Sequence, residues 1–135
     1  MTPLSRAVTI AVQAHDGQVD KSGQPYVLHP LRVMLAMDTE DERIVAVLHD
    51  VIEDGPPGIV ESIFEAGISD LALFAIYALT RRPSEPYADY IERCATSYAI
   101  ATRVKLAETT ILVAALRVAS FDVPGKLDRR HWSAR

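Results

Sequence analysis

The sequence predicts an all-α fold, an irregular bundle of six or seven helices. Valine, isoleucine and leucine recur at the helical spacings of three and four residues, whereas the alternating pattern typical of strands is nearly absent. Prolines, glycines and capping residues stand at the ends of these apolar segments. With 135 residues, of which 49% are hydrophobic, the chain is long enough for one core. We therefore expect a single domain over 1–135, with a core at 1–120 and a tail at 121–135.

Prolines and capping residues define the first three predicted helices. Pro3 suits the first turn of a helix, and Gly17 suits the position just beyond its end. A loop rich in glycine, serine, aspartate and proline follows. Pro30, whose backbone is pre-set for a helix start, opens the second helix. Asp38 or Thr39 caps the third, whose acidic first turn is favourable at the positive end of a helix.

Turn sequences define the remaining boundaries. Gly-Pro-Pro-Gly at 55–58 forces a turn after the third helix. Pro83 and Pro86 mark a loop, after which a helix starts near Tyr87 and a long final helix follows. The predicted helices cover, in order, about residues 3–15, 29–37, 39–52, 59–66, 69–79, 87–101 and 103–120.

Composition and charge exclude several classes of partner. The net charge of −4 and the pI near 5.5 provide no basic surface for nucleic acid or an anionic membrane. The single cysteine, Cys94, excludes an internal disulfide, and we expect it to be buried as a small hydrophobic residue. No signal-peptide pattern and no membrane-spanning apolar run are recognisable. A cytoplasmic location is the expectation.

The most informative segment is an acidic cluster that follows an apolar run. His49 and Asp50 stand side by side, and Glu53 and Asp54 follow within one helical turn. On a continuous helix His49 would share a face with Glu53, and Asp50 with Asp54. Carboxylates are unfavourable at the negative end of a helix unless a cation compensates them. Imidazole and carboxylate together suit a divalent ion such as manganese, iron, zinc or magnesium. The alternative is a solvated helix end with an incidental histidine.

Three further residues near the N-terminus are candidates for the same site. His29 precedes Pro30 at the predicted start of a helix, where its side chain could supply a second metal ligand or merely cap the helix. Lys21 and Ser22 lie in a glycine-flanked loop and could present a charge and a hydroxyl to phosphate oxygens. An ordinary polar turn is the alternative for this loop. We interpret His15 as a structural residue that bonds to the same loop.

Seven segments, taken in order along the chain, match a known pattern: 14–18 (Ala-His-Asp-Gly-Gln), 21–26 (Lys-Ser-Gly-Gln-Pro-Tyr), 29–30 (His-Pro), 49–54 (His-Asp-Val-Ile-Glu-Asp), 78–81, 87–91 and 104–107. They resemble the HD-domain hydrolases of RelA/SpoT type, which remove the 3′-pyrophosphate from the alarmone (p)ppGpp. The resemblance covers about residues 4–116 and implies an HD-type helical bundle with metal-dependent phosphohydrolase activity.

The resemblance also implies roles for individual residues. One divalent metal ion, manganese in that family, would have four ligands: His29, His49, Asp50 and Glu108. Glu53 and Asp54 match the pair that orients or activates the attacking water. Lys21 matches a nucleotide-binding residue, and we place Ser22 beside it. The expected partner is a small nucleotide substrate.

The chain departs from the family pattern at three positions. Glu108 stands where the family has aspartate, Leu112 where it has an asparagine that helps to hold the nucleotide, and Asp20 where arginine is usual. The run 111–116 is expected to be buried core, although an apolar stripe on the last helix could equally serve a homodimer. The departures leave two alternatives to (p)ppGpp hydrolysis: a degenerate protein that binds metal or nucleotide without turnover, and a hydrolase of another nucleotide phosphate.

Overall fold

The chain is helical throughout the part that the structure describes, which confirms the all-α prediction. The computed structural model describes residues 1–121, with side chains up to residue 114, so the predicted tail lies outside the described residues apart from residue 121. Over 1–121 the only bridge-type pairing is an isolated one between Val19 and Pro25. Within residues 1–121, seven helices have seven or more residues, in line with the predicted six or seven, and one further element is a single turn. The helices are α1 (Pro3–Ala14), α2 (Leu28–Leu35), α3 (Glu40–Leu48), α4 (Val51–Asp54), α5 (Ile59–Glu65), α6 (Asp70–Leu79), α7 (Tyr87–Thr96) and α8 (Ala99–Phe121).

Helix α3 is the centre of the bundle. Its last five residues, 44–48, are all buried, and the helix packs against α1, α2, α6 and α8. The Thr39 hydroxyl accepts a hydrogen bond from the backbone N–H of Glu42, so Thr39 rather than Asp38 is the cap. A helix enclosed on several sides holds its C-terminal residues rigidly. The His-Asp pair lies at that C-terminal end.

Two predicted helices have different boundaries in the structure. The predicted helix 39–52 is interrupted after Leu48 and resumes at Val51 as the single turn α4. The predicted helix 87–101 ends at Thr96, and α8 begins at Ala99. At this second break the hydroxyl of Thr102 donates to the carbonyl oxygen of Cys94 at 2.9 Å. A side chain that occupies a backbone carbonyl in this way competes with helix continuation.

The first half of α8 is packed into the bundle and its later residues are not. Ala101 and Val104 are fully buried, whereas the side chains of Leu112 and Val113 are 45% and 42% exposed. The prediction that 111–116 is buried core is therefore wrong for Leu112, Val113 and Ala114, while residues 115–116 lie beyond the described side chains. Leu112 and Val113 fall outside the spacing of three and four that connects 101, 104, 107 and 111 on the inner face.

Two smaller predictions concern burial and membranes. Cys94 is buried, with 1% of its surface exposed, as predicted for a small hydrophobic residue. Within the described residues, no helix has both the length and the apolar character needed to cross a lipid bilayer. Dimerisation through the exposed apolar residues of α8 stays a prediction.

Candidate metal centre

Four side chains from three parts of the bundle converge on one point. His29 comes from α2, His49 and Asp50 from the break between α3 and α4, and Glu108 from α8. One ligand atom from each of the four lies within 4.8 Å of all the others. Donors on opposite sides of a bound ion stand about 4.2 Å apart, twice a bond length of about 2.1 Å. The four residues could therefore hold one ion after small side-chain adjustments.

The break between α3 and α4 brings His49 and Asp50 together. His49 Nδ1 lies 2.5 Å from the carbonyl oxygen of Ala46, which in a continuous helix would accept from the N–H of Asp50. With the helix interrupted, Nε2 of His49 lies 3.0 Å from Oδ2 of Asp50. The expectation that His49 and Asp50 align with Glu53 and Asp54 along one uninterrupted helix is therefore wrong. The two neighbours instead turn toward a common point.

The second ring nitrogen of His49, Nε2, faces the carboxylates of Asp50 and Glu108. The residue is 2% exposed, and Nδ1 is engaged with the Ala46 carbonyl. Nε2 is buried and has no hydrogen-bond partner, although the Asp50 and Glu108 carboxylates are close. Nε2 of His15 is also buried without a hydrogen-bond partner, but of these two nitrogens it is that of His49 that has the two carboxylates beside it. A divalent ion bound at Nε2 would satisfy this atom, and the Nδ1 bond is the kind that orients metal-binding histidines.

His29 lies among the metal-binding candidates and not at the capping position of α2. It is the second residue of α2, whose capping position is Val27 and has no side-chain capping bond. The ring of His29 is partly buried and packs edge-on against the ring of His49, with 5.6 Å between centroids. Its Nε2 lies 3.9 Å from Oε1 of Glu108. The alternative of a capping histidine is therefore wrong.

The two carboxylate oxygens of Glu108, on α8, have different partners. Oε1 lies 3.8 Å from Nε2 of His49, and Oε2 accepts a hydrogen bond of 3.0 Å from the Lys105 ammonium. Lys105 in turn lies over the Tyr90 ring, 5.1 Å from its centroid. The glutamate at this position thus reaches the histidine pair with one oxygen, despite the departure from the family's aspartate.

The electrostatics of the cluster favour a cation. Burial opposes ionisation of Glu108, but His29, His49 and Lys105 outweigh it and hold its pKa well below the usual range. The pKa of Asp50 is also lowered against the effect of burial, chiefly by His49. Burial by itself would lower the pKa of His49, yet the two carboxylates raise it to about 10. Two ionised carboxylates therefore favour a positive charge at His49. A metal ion bound there would take the place of the ring proton.

Tyr26 supports the cluster from the preceding loop, and sequence reasoning assigned it no role. Its hydroxyl donates to Oδ2 of Asp50, and its ring packs against the rings of His15 and His29. Burial, together with the Asp50 charge, raises the pKa of the Tyr26 phenol, so the group stays a donor. The available signal was its position three residues before His29 in a matched segment.

The acidic pair lies beside the cluster, in α4. The Glu53 carboxylate accepts a hydrogen bond from the backbone N–H of Arg81, which follows α6. Desolvation raises the pKa of Glu53, and the charges of Asp50 and Asp54 act in the same direction. The side chain of Asp54 is exposed, and its backbone carbonyl accepts from the Gln18 side chain. The pair thus remains near solvent, while the four metal-binding candidates are buried or partly buried.

The loop before α2 presents Lys21 and Ser22 at the surface, both exposed. Asp20 organises this loop, because its Oδ1 accepts from the backbone N–H groups of Ser22 and Gln24 at 2.9 and 3.0 Å. His15 is buried outside the cluster and bonds the loop through Gln18, with 2.9 Å between Nδ1 and the amide oxygen. This agrees with the interpretation of His15 as structural.

Comparison with curated proteins finds partial matches to bacterial (p)ppGpp enzymes. The bifunctional (p)ppGpp synthase/hydrolase SpoT of Escherichia coli strain K12 is 38% identical over 74 residues, which is 50% of this chain and 10% of the relative. The guanosine-3′,5′-bis(diphosphate) 3′-pyrophosphohydrolase of Vibrio cholerae is 42% identical over 55 residues, 38% of this chain and 8% of its own length. The bifunctional (p)ppGpp synthase/hydrolase RelA of Mycobacterium tuberculosis is 45% identical over 56 residues, again 38% and 8%.

These matches extend over only part of each protein. The matched segment amounts to about a tenth of the length of these curated relatives. No protein-family model matches the chain. The partial similarities support the resemblance to RelA/SpoT-type enzymes that the sequence segments indicate.

Proposed function

We propose that this chain is an HD-type, metal-dependent phosphohydrolase that removes the 3′-pyrophosphate from (p)ppGpp or a related nucleotide. The observation that supports it most directly is the convergence of two imidazoles and two carboxylates, with a buried histidine nitrogen lacking a hydrogen-bond partner. Such a donor set suits borderline to hard divalent ions. We also propose that residues 1–135 form one HD-type domain, with its core at 1–120.

The proposed cofactor is one divalent ion, manganese by resemblance, and its ligands would be these four residues: His29, His49, Asp50 and Glu108. When bound, such an ion polarises a phosphoryl oxygen and lowers the pKa of a water molecule. The protein contributes orientation: the Ala46 carbonyl fixes the His49 ring, and the Tyr26 hydroxyl fixes the Asp50 carboxylate.

Glu53 is the proposed proton acceptor for the attacking water, with Asp54 orienting it. The raised pKa of Glu53 brings this carboxylate closer to the range in which a general base works efficiently. The hydrogen bond from the Arg81 backbone holds one of its oxygens and leaves the other for water. In the reaction, the water oxygen bonds to phosphorus and the bond to the ribose 3′-oxygen breaks. The 3′-oxygen takes up a proton and becomes a hydroxyl, so the water is divided between pyrophosphate and the ribose.

Lys21 and Ser22 are the proposed substrate-binding residues. Both lie in the exposed part of the loop that continues through Tyr26 to α2, where His29 is one of the metal-binding candidates. An ammonium and a hydroxyl offer charge-assisted and neutral hydrogen bonds to phosphate oxygens. The printed names of the relatives, a 3′-pyrophosphohydrolase and (p)ppGpp synthase/hydrolases, support (p)ppGpp as the first substrate to test.

One observation favours a second candidate, hydrolysis of a different nucleotide phosphate. Leu112 is exposed on α8, where the resembling family places a nucleotide-binding asparagine. The substrate-facing chemistry therefore differs while the four metal-binding candidates converge. Binding without turnover is the remaining alternative, and it differs from both candidates in giving no product from any nucleotide.

The decisive experiment incubates the purified protein with Mn²⁺ and ppGpp and separates the products by anion-exchange chromatography. We expect GDP and pyrophosphate in equal amounts, at a rate that disappears when a chelator removes the metal. Glu65→Gln changes an exposed glutamate on α5 outside the cluster and should leave the rate unchanged. Phosphate release from other nucleotides but not from ppGpp would favour the second candidate. Metal binding with no product from any nucleotide would contradict both.

A further inference from the structure

Lys105 is a partly buried cation that the proposed mechanism does not use. Its side chain is 19% exposed, and its ammonium donates to Oε2 of Glu108 at 3.0 Å. Burial lowers its pKa, but Glu108 outweighs this and raises it above the usual range, so the ammonium remains charged. A lysine that gives up hydration in this way needs a partner, and here the partner is one oxygen of a metal-binding candidate.

The position of Lys105 is itself fixed from the other side. Its ammonium lies over the Tyr90 ring, and the Tyr90 hydroxyl donates to the carbonyl oxygen of Leu79 at 2.7 Å. Tyr90 is buried between α6 and α8. Contacts therefore run from the end of α6 through α7 to Lys105, and from Lys105 to Glu108. Because each group in this series has a defined partner, the Glu108 carboxylate is held through its Oε2, the oxygen that contacts Lys105.

We propose that Lys105 is a positioning residue that holds one oxygen of Glu108, so that the other oxygen faces the two histidines. Oε1 lies 3.9 Å from His29 and 3.8 Å from His49, while Oε2 is taken by the ammonium. A glutamate side chain has one more rotatable bond than aspartate, and its ordering carries an entropic cost. Lys105 removes that freedom before a cation binds. This inference rests on the proposed metal centre.

The experiment measures Mn²⁺ affinity by isothermal titration calorimetry on the full chain, without substrate. If Lys105 acts only as a nearby positive charge, Lys105→Met removes repulsion and Mn²⁺ binds more tightly. If Lys105 positions Glu108, Lys105→Met weakens binding about tenfold or more, as loss of supporting partners of metal ligands does. The sign of the change therefore separates the two roles. Tighter or unchanged binding would overturn the proposal.

Matched variants test the route through Glu108. Arg103→Met removes a positive charge from the same helix, where the guanidinium pairs with Glu42 outside the cluster, and should leave the affinity unchanged. In a Glu108→Ala background, Lys105→Met should cost nothing further, because the group that it positions is gone. An equal cost in both backgrounds would contradict the proposal.

Two controls keep the outcome interpretable. Helical circular dichroism identifies any variant that does not fold. In that case Lys105→Gln replaces the methionine variant, because its amide is polar but too short to span to Glu108 as lysine does, and the same weakening is expected. A wild-type chain that binds no divalent ion would refute the proposed metal centre. A wild-type chain that binds Mn²⁺, with a Lys105 variant of equal affinity, would refute only the role of Lys105.

Discussion

The fold buries the metal-binding candidates among packed helices, whereas it leaves the loop that carries Lys21 and Ser22 exposed. The four candidates project from helices or helix ends into a largely buried cluster, with further partners behind three of them. Lys21 and Ser22 lie on an exposed loop that is organised from within by Asp20. Residues on packed helices keep their geometry, whereas loops vary more readily.

Under the proposed function, this difference would separate the residues that bind metal from those that select the substrate. A cluster supported by α2, α3 and α8 can retain its ligands while the surface around it changes. The positions at which the chain departs from the RelA/SpoT-type pattern follow this division. Asp20 and Leu112 are at the periphery. Glu108, within the cluster, still approaches the histidines with one oxygen. Mutations in the cluster should therefore change metal binding, and peripheral ones should change substrate affinity.

The largest expected effect is that of His49→Ala. Removing the buried imidazole deletes a proposed ligand from the centre of the cluster, so metal content should fall from about one ion per chain to nearly none. Activity should fall on the order of 10³-fold or more, because both phosphoryl polarisation and water activation are lost. Elemental analysis and a hydrolysis assay measure the two losses.

His15→Ala is the matched control for this substitution. His15 is equally buried but lies outside the cluster, so its removal should reduce stability while leaving metal content near one ion per chain. Helical circular dichroism must show that both variants remain folded. A folded His49→Ala variant that retains its full metal content would contradict the proposed ligand set.

The next effect concerns the acidic pair at the edge of the cluster. Glu53→Gln should lower the rate about 10²- to 10⁴-fold, the usual contribution of a general base, without loss of metal. Because the base must be ionised, the wild-type rate should rise with pH through the pKa of Glu53. Desolvation raises this pKa in the metal-free chain, and a bound divalent ion would lower it.

A pH profile at saturating metal measures that midpoint. The acidic limb should be absent from the profile of Glu53→Gln. If the limb persists at the same midpoint in this variant, another group is the base, and Asp54→Asn becomes the variant to examine.

A smaller effect is expected at the boundary between loop and cluster. Tyr26→Phe removes only the hydroxyl that donates to Asp50, and we expect Mn²⁺ affinity to fall about tenfold. Tyr87→Phe, at an exposed tyrosine of α7, is the control and should leave affinity unchanged. Calorimetric titration measures both. Equal affinities in the two variants would mean that Asp50 needs no support from the loop.

The sequence predicted the helices well because their signals are local. Proline in the first turn of α1 and the threonine cap of α3 both lie where the sequence predicts them. The metal-binding candidates were also identifiable, since the imidazoles and carboxylates lie in matched segments or, for Glu108, directly after one. Their convergence in the fold supports this interpretation without testing each residue's role.

The wrong helix boundaries and the wrong burial of Leu112 have a common physical cause. These features depend on contacts that hydrophobic periodicity does not reveal. The break after Leu48 accompanies a bond from the His49 ring to the Ala46 carbonyl, and the break after Thr96 a bond from Thr102 to Cys94. Both are side-chain competitors for backbone carbonyls. Leu112 belongs to an apolar run, but its face of α8 is decided by the register of the buried residues before it.

The smallest expected effect tests the periphery directly, through Leu112→Asn. The position is 45% exposed, so free energy of unfolding should change by no more than about 0.5 kcal/mol beyond the lower helix propensity of asparagine. If the added amide bonds the nucleotide, KM for ppGpp should fall about three- to tenfold at constant kcat, the effect of one hydrogen bond. Val113→Asn, 42% exposed at the adjacent position, is the matched control and should leave KM unchanged. An unchanged KM in the Leu112 variant would indicate that this face of α8 does not contact ppGpp, and would strengthen the case for a different nucleotide. A fall in kcat would instead contradict the separation between a fixed metal cluster and an adjustable surface, because a peripheral residue would then affect the chemical step.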